Sequence, residues 1–156
     1  MTSAPDRQVR LATELIYLGQ AALVRDADQL LNEQGLGRAH FRALYTLARR
    51  PGVTVRELAG LLRVSTQALA RVMTDLLRGG YAVQQDDVRD RRRRRVHLTT
   101  RGAELERAAY AAQADALSAA LAEVGPDAAA GFLRALHALL SPEDRALLSF
   151  RLEDLL

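Results

Sequence analysis

The chain has 156 residues, with 22 arginines, no lysine, 19 acidic residues and no cysteine, and its formal net charge is +3. This length fits one domain of ordinary size and hardly two independent ones. The lack of cysteine excludes disulfides, thiolate metal sites and cysteine-based redox sensing. No apolar run approaches the ~20 residues of a membrane span and the N-terminus lacks a signal-peptide core, so we expect a cytoplasmic protein without membrane contact.

Charge is divided unevenly along the chain. Residues 38–101 contain 15 arginines and 5 acidic residues, a net charge of +10, whereas the remainder contains 7 arginines and 14 acidic residues, a net charge of −7. The two parts add to the total of +3. Because a strongly basic segment attracts polyanions, the central part is predicted to bind nucleic acid and the flanking parts are not.

The first predicted element is a long helix over residues 6–32. Apolar residues recur there at helical spacing, without proline or a cluster of turn residues. Gly35 and Gly37 are predicted to end it.

A helix-turn-helix is predicted next. Apolar spacing indicates a helix over residues 38–49, and Pro51-Gly52 breaks it. Thr54 is predicted to cap the following short helix, with Glu57 completing a capping box. Val64 is expected to close the turn that leads into the second helix of the motif.

Ser65 is predicted to cap that second helix, which runs to about Arg78 before Gly79-Gly80. Ser65 and Thr66 lie at its positive N-terminal end, which suits contact with a phosphate or a base. The predicted buried stripe is Leu69, Val72 and Leu76. The opposite face carries Gln67, Ala70, Arg71 and Thr74.

That exposed face suits the major groove of DNA. Gln67 can make paired hydrogen bonds to adenine, Ala70 leaves room for a thymine methyl group, and Arg71 can reach guanine or a phosphate. An alternative for Arg71 is a surface ion pair with Asp75, four residues on.

A β-hairpin is predicted after this helix. Apolar residues recur at period two on both sides of an arginine run, at Tyr81 and Val83 and again at Val96 and Leu98. This pattern predicts two antiparallel strands that each bury that face. Arg95 and His97 fall on the opposite face and are expected to point to solvent or to a phosphate. Because residues 86–88 contain no glycine, we expect an open loop rather than a two-residue turn.

The hairpin tip holds six arginines within seven residues, 89–95. Taken alone, such a run can be a disordered tail or a solvated face. Between two strands it indicates a wing that grips DNA. The wing residues predicted to contact DNA are Arg89, Asp90, Arg91, Arg92, Arg93 and Arg94.

The acidic part after the hairpin is predicted to be helical. Thr99 or Thr100 can cap a helix to about Val124, a second begins near Asp127, and Ser141 caps a third. These helices and the first one carry more leucine than a small core readily covers. They form either an ordinary helical core or the interlocking part of a dimer, which would match a palindromic DNA site.

On these residues the sequence resembles the multiple antibiotic resistance regulator (MarR) family of winged-helix repressors, most closely over residues 36–102. The matching segments are Phe41-Arg42-Ala43-Leu44 with Leu47-Ala48, Thr54-Val55-Arg56-Glu57-Leu58-Ala59, Val64-Ser65, Arg71, Leu76, Gly80-Tyr81, Asp90-Arg91-Arg92 and Val96-His97-Leu98-Thr99-Thr100-Arg101-Gly102. The most specific of them is the wing with the start of the next helix.

The resemblance implies a mainly α fold with a small antiparallel β-hairpin wing. It implies a winged helix-turn-helix at residues 36–100, flanked by dimerisation helices at residues 1–35 and 101–156. It further implies a homodimeric repressor on a palindromic operator, with Asp90 bracing Arg92 and a tip arginine in the minor groove. Asp90 could instead be a surface acid that dilutes repulsion among the arginines.

Many members of the family release DNA when a small aromatic or phenolic acid binds between the dimer helices and the DNA-reading head. The candidates for such a site here are Tyr17, His40, Phe41 and Tyr45, each of which could instead be a core or interface residue.

The sequence gives no sign of enzymatic chemistry. His40, His97 and His137 are too scattered to predict a metal site, and no paired carboxylates or activated nucleophile are evident. We therefore expect no cofactor, no metal and no catalytic activity. The alternative function is a winged-helix protein-interaction module whose arginine loop binds an acidic partner.

Overall fold

The structure is a computed structural model that describes residues 4–88, 90 and 92–154. Its elements are α1 (Ala4–Asn32), α2 (Arg38–Arg49), α3 (Val55–Leu62), α4 (Thr66–Arg78), β1 (Ala82–Asp86), β2 (Arg94–Leu98), α5 (Thr100–Val124), α6 (Pro126–Leu139), α7 (Pro142–Arg145) and a 3₁₀ turn (Leu152–Asp154). The predicted mainly α fold with a small antiparallel hairpin is confirmed.

Side-chain caps mark the starts of α3, α4 and α5. The Thr54 hydroxyl accepts a hydrogen bond from the Glu57 amide at 3.2 Å, and the Glu57 carboxylate accepts one from the Thr54 amide at 2.7 Å. The hydroxyls of Ser65 and Thr99 likewise each accept from the amide three residues on, at 3.1 Å in both cases. These caps satisfy amides that the first helical turn leaves without partners.

The core lies where α2, α3 and α4 pack against β2 and α5. Its wholly buried large side chains include Leu44, Leu58, Leu76 and Val96. The buried stripe of α4 differs from the prediction, because Met73 is buried with Leu69 and Leu76 whereas Val72 is only half-buried. Met73 lies four residues after Leu69 and three before Leu76, so it falls at the centre of the contact with the core.

The strands pair in antiparallel register, with Ala82 opposite Leu98 and Gln84 opposite Val96. The predicted inward position of Val83 is wrong, because Ala82 is buried opposite Leu98 and Val83 lies on the exposed face. Tyr81 is buried but precedes the strand, in the bend that follows Gly80 with its φ of +69°. The bend resets the alternation, so Tyr81 and Val83 do not share a face.

β1 ends at Asp86 and β2 begins at Arg94, so the connection is longer than a two-residue turn, as expected. At its base the hairpin is joined to the segment before α3. The Val96 amide donates to the Val53 carbonyl at 2.8 Å, and the Gly52 amide donates to the Val96 carbonyl at 3.0 Å. The hairpin therefore has a fixed attachment to the helix-turn-helix.

The flanking helices leave much apolar surface open. In α1 only Val24, Ala27 and Leu31 are buried, and α6 has no buried residue. The large exposed apolar side chains of these two helices include Leu11, Leu15, Ile16, Leu18, Phe132 and Leu139. The segment that Ser141 caps forms one helical turn, α7. Residues 1–3 and 155–156 of the predicted dimerisation segments lie outside the described residues.

Among the described residues, none of the helices is both long enough and apolar enough to cross a membrane.

Gly102 is predicted to be essential for packing α5 against the hairpin. A Cβ built on Gly102 would overlap the carbonyl oxygen of Tyr81. We expect Gly102→Ala to lower the free energy of unfolding by about 1–3 kcal/mol, because the strand must shift to admit a methyl group. Urea denaturation followed by circular dichroism measures this.

Gly60→Ala in α3 is the matched control, since a Cβ there meets nothing within 4 Å. It should stabilise the protein by up to about 1 kcal/mol through helix propensity alone. Equal stability of the two variants would contradict the packing role of Gly102.

Candidate nucleic-acid interface

One face of α4 is polar and exposed. Its members are Ser65, Thr66, Gln67, Ala70, Arg71 and Thr74. They lie opposite the buried stripe, as the helical spacing predicts. The face is therefore open to a ligand along its whole length.

Arg71 makes no ion pair with any described residue. The predicted alternative, a pair with Asp75, does not form, because the Asp75 carboxylate lies 3.2 Å from Nε2 of His40 instead. The Arg71 guanidinium is thus free to donate hydrogen bonds to a phosphate or a base edge.

His40 connects the start of α2 to α4. Its Nδ1 accepts a hydrogen bond from the Gly37 amide at 3.0 Å, so the ring proton is assigned to Nε2, which donates to Asp75. Both ring nitrogens are thereby engaged within the protein. His40 was predicted as an effector contact, and a ligand would have to compete with these two bonds.

At the hairpin tip, Asp90 braces Arg92. The Asp90 carboxylate accepts hydrogen bonds from the Arg92 amide at 3.0 Å and from Arg92 Nε at 3.3 Å. The Arg92 side chain is nevertheless 93% exposed, so most of its donors face solvent. Arg94 is also exposed and approaches Asp86 only at 3.8 Å. Arg89 and Arg91 lie outside the described residues.

The prediction that Arg95 points to solvent or to a phosphate missed its partners within the protein, although 38% of its side chain is exposed. Its Nε donates to the Asp87 carboxylate at 2.7 Å, and its Nη1 donates to the Gly52 carbonyl at 2.7 Å. Asp87 is buried, and a buried carboxylate needs such a partner because desolvation is costly. The prediction failed because alternation gives the side of the strand but not the neighbours on that side.

Arg93 also has a partner within the protein. Its Nη2 donates to Oε1 of Glu57 at 3.0 Å, while Oε2 of the same carboxylate caps α3. Hydrogen bonds to the backbone and side chain of Thr54 lower the pKa of Glu57 below its usual value, and the charges of Arg93 and Arg95 lower it further. Glu57 is therefore ionised at neutral pH, the charge state in which it can pair with Arg93.

Two of the four predicted effector contacts lie together between α2 and α5. The ring centroids of Phe41 and Tyr45 are 6.0 Å apart, and those of Tyr45 and Tyr110 are 5.8 Å apart. The Arg49 guanidinium lies 3.4 Å above the Tyr45 ring and donates to Glu106 at 2.9 Å. We call Phe41, Tyr45, Arg49 and Tyr110 the aromatic cluster.

Tyr110 and Arg49 were missed by the sequence analysis, since no local pattern links residues of α2 to residues of α5. Tyr17 is in α1 and is 69% exposed. The structure therefore brings together Phe41 and Tyr45, whereas His40 faces α4 and Tyr17 belongs to the open surface of α1.

Comparison with known proteins agrees with these features. The sequence profile of the MarR family matches residues 34–93. The chain is 38% identical over 140 residues to the HTH-type transcriptional regulator PetP of Rhodobacter capsulatus, covering 90% of this chain and 84% of that protein.

Two solved structures of the MarR family protein Rv2887 of Mycobacterium tuberculosis are also similar, at 29% identity. The complex with DNA superposes with a TM-score of 0.62 and covers 83% of this chain and 97% of that one. The complex with p-aminosalicylic acid gives a TM-score of 0.59 and covers 83% and 98%. Because it has a winged helix-turn-helix and is 38% identical to PetP along most of both chains, this protein belongs to the MarR family of transcriptional regulators.

Proposed function

We propose that this protein is a homodimeric regulator that binds a palindromic operator and acts as a repressor by occupying it. The observation that carries the proposal is the combination of an exposed polar face on α4 with an exposed, braced arginine at the hairpin tip. One surface suits base edges in the major groove, and the other suits phosphates or the minor groove. The protein would act on chromosomal DNA in the cytoplasm, without catalysis.

The proposed division of contacts follows from chemistry. Gln67 and Arg71 are the side chains of α4 that can read bases through paired hydrogen bonds, while Ser65 and Thr66 suit the backbone at the helix N-terminus. In the wing, Arg92 is the described arginine with the most exposed donors. Support also comes from Rv2887, which is 29% identical and whose structure was determined with DNA.

Dimerisation is proposed through residues 1–35 and 101–156, around a DNA-binding domain at residues 36–100. The flanking helices α1 and α6 expose several large apolar side chains. Extensive exposed apolar surface is uncommon on an isolated monomer and marks interaction sites. A two-fold dimer would present two copies of α4 to successive turns of the major groove.

Selection from random duplex DNA tests this function. We expect the wild-type protein to enrich an inverted repeat with half-sites about ten base pairs apart, because each protomer reads one half-site. Leu15→Asp is the paired variant, as it places a charge on the apolar face of α1. It should sediment as a monomer and enrich single half-sites with weaker affinity.

Retention of DNA without any enriched motif would contradict sequence-specific reading. Failure of the folded protein to retain DNA would contradict the proposal and favour a module that binds an acidic protein.

Arg92→Ala tests the wing. We expect at least about a tenfold loss of operator affinity and a decrease of about 1 in the salt slope, since an arginine that contacts DNA is removed. The melting temperature should hardly change, because the side chain is exposed. Arg107→Ala, an exposed arginine of α5 outside the basic segment, is the control and should keep wild-type affinity. Unchanged affinity of the Arg92 variant would remove the wing from the mechanism.

We also propose that a small aromatic acid weakens operator binding by occupying the aromatic cluster. Rv2887 was solved with p-aminosalicylic acid, an aromatic carboxylic acid. In the present chain the cluster offers aromatic rings for stacking, and the Arg49 guanidinium offers a partner for a carboxylate. Arg49 already donates to Glu106, so the ligand would share or displace that bond.

Calorimetric titration with p-aminosalicylic acid, with and without operator, tests this regulation. Linkage requires that operator DNA lower the affinity for the ligand by the same factor as the ligand lowers the affinity for operator. Arg49→Met with Glu106→Gln removes the cation without leaving an unpaired buried acid, and should weaken ligand binding about tenfold. Operator affinity that is unchanged at saturating ligand would contradict the proposal.

A further inference from the structure

The arginines of the wing differ in what holds them. Arg92 has its partner, Asp90, within the tip loop itself. A bond within the loop does not restrain the loop relative to the rest of the protein. Arg93, the next residue, crosses to Glu57 in the helix-turn-helix, 36 positions away in the sequence.

The carboxylate that receives Arg93 is itself fixed. Oε2 of Glu57 accepts from the Thr54 amide at 2.7 Å, and the Glu57 amide donates to the Thr54 hydroxyl at 3.2 Å. Oε1 is thereby held in place for Arg93 Nη2 at 3.0 Å. A guanidinium bound to a carboxylate that a second hydrogen bond restrains has a better defined position than one paired with a freely rotating side chain.

The backbone of Arg93 also shapes the loop. Its carbonyl accepts from the Asp87 amide at 2.9 Å, and its amide donates to the Asp90 carbonyl at 2.8 Å. Arg93 therefore closes the loop with its main chain and ties it to α3 with its side chain. Further down the hairpin, Arg95 and Val96 bind the carbonyls of Gly52 and Val53. The hairpin thus has several hydrogen bonds to residues 52–57. The bond from Arg93 to Glu57 is the one among these that lies nearest to the tip.

The charge on Arg93 is largely offset at this position. The Glu57 carboxylate lies within hydrogen-bond distance of it, and the Arg93 side chain is about half as exposed as that of Arg92, at 49% against 93%. A cation already paired with a carboxylate has less to gain from a phosphate.

From these observations we infer that Arg93 is a positioning residue, which sets the angle of the wing through Glu57 rather than contacting DNA. This inference rests on the proposed DNA-binding function. It separates Arg93 from Arg92 and Arg94, whose side chains are more exposed. In this inference Glu57 helps to position the wing, although it lies in α3 and carries the opposite charge to the arginines.

The test compares Glu57→Gln, Arg93→Gln and the double variant in operator binding at several salt concentrations. Glutamine at position 57 can still accept from the Thr54 amide, so the capping box is kept while the ion pair is lost. We expect each single variant to lose affinity about threefold. The double variant should lose no more than either single variant, because all three lack the same pair.

Two results distinguish a positioning residue from a phosphate contact: the dependence of operator affinity on salt concentration, and whether Glu57→Gln lowers or raises that affinity. A positioning role predicts unchanged slopes in all three variants. A phosphate contact by Arg93 predicts that Arg93→Gln lowers the slope by about 1, and that Glu57→Gln raises affinity because a negative charge near DNA is removed. That pair of results would overturn the inference.

Amide hydrogen exchange without DNA provides a readout that does not depend on the proposed function. The probe is the Asp87 amide, which donates to the Arg93 carbonyl. Both single variants should speed its exchange equally, since loss of the pair frees the loop. Unchanged exchange in both would overturn the inference. If the wild-type protein bound no operator, the proposed function would fail while the exchange rates still decided the role of Arg93.

Discussion

The hydrogen bonds between Val96 and residues 52 and 53 fix the position of the hairpin relative to the helix-turn-helix, which together form the proposed DNA-binding surface. The Val96 amide and carbonyl are both used, and the Val96 side chain is wholly buried. A two-stranded hairpin alone is marginal in water, and this edge contact gives it a third partner. Residues 52 and 53 lead directly into α3. The hydrogen bonds to Val96 therefore attach the wing to the helix-turn-helix rather than to a flexible linker.

Nearby acidic residues reduce the electrostatic repulsion among the arginines at the hairpin tip. Six arginines within seven residues would repel one another strongly if left unpaired. Four acids within or beside the hairpin receive the described arginines one by one. The pairs are Asp90 with Arg92, Glu57 with Arg93, Asp86 with Arg94 and Asp87 with Arg95. The pairs become more exposed toward the tip of the hairpin. The Asp87 carboxylate that binds Arg95 is buried, whereas Arg92, at the tip, keeps most of its side chain exposed. Six arginines against these four acids leave a net formal charge of +2.

Local chemistry predicted most of the fold. The caps at Thr54, Ser65 and Thr99 depend on residues three positions apart, so a sequence contains all that is needed to find them. The phase of β1 was wrong at Val83 because a bend before the strand interrupts alternation, and no residue pattern marks where a bend ends. Met73 was overlooked in favour of Val72, because the two adjacent positions both fit helical spacing from Leu69 and Leu76, and only the tertiary packing shows that Met73 is the buried one.

The candidate site was less accessible to sequence reasoning. The exposed face of α4 followed from helical spacing alone, whereas the partners of Arg93 and Arg95 come from segments brought close only by the tertiary fold. The same holds for the aromatic cluster, in which Tyr110 joins Tyr45 across two helices. The structure also replaced the expected Arg71–Asp75 pair by a link from Asp75 to His40.

That link from His40 to Asp75 bears on the thermodynamics of recognition. α4 is held on its buried side by core residues and toward its C-terminal end by the imidazole of α2. A helix restrained in this way meets its ligand as a preformed surface, so the entropy cost of ordering its backbone is incurred during folding rather than during association. The heat capacity change of binding would then come mainly from the surfaces buried on contact, with little contribution from coupled folding of α4.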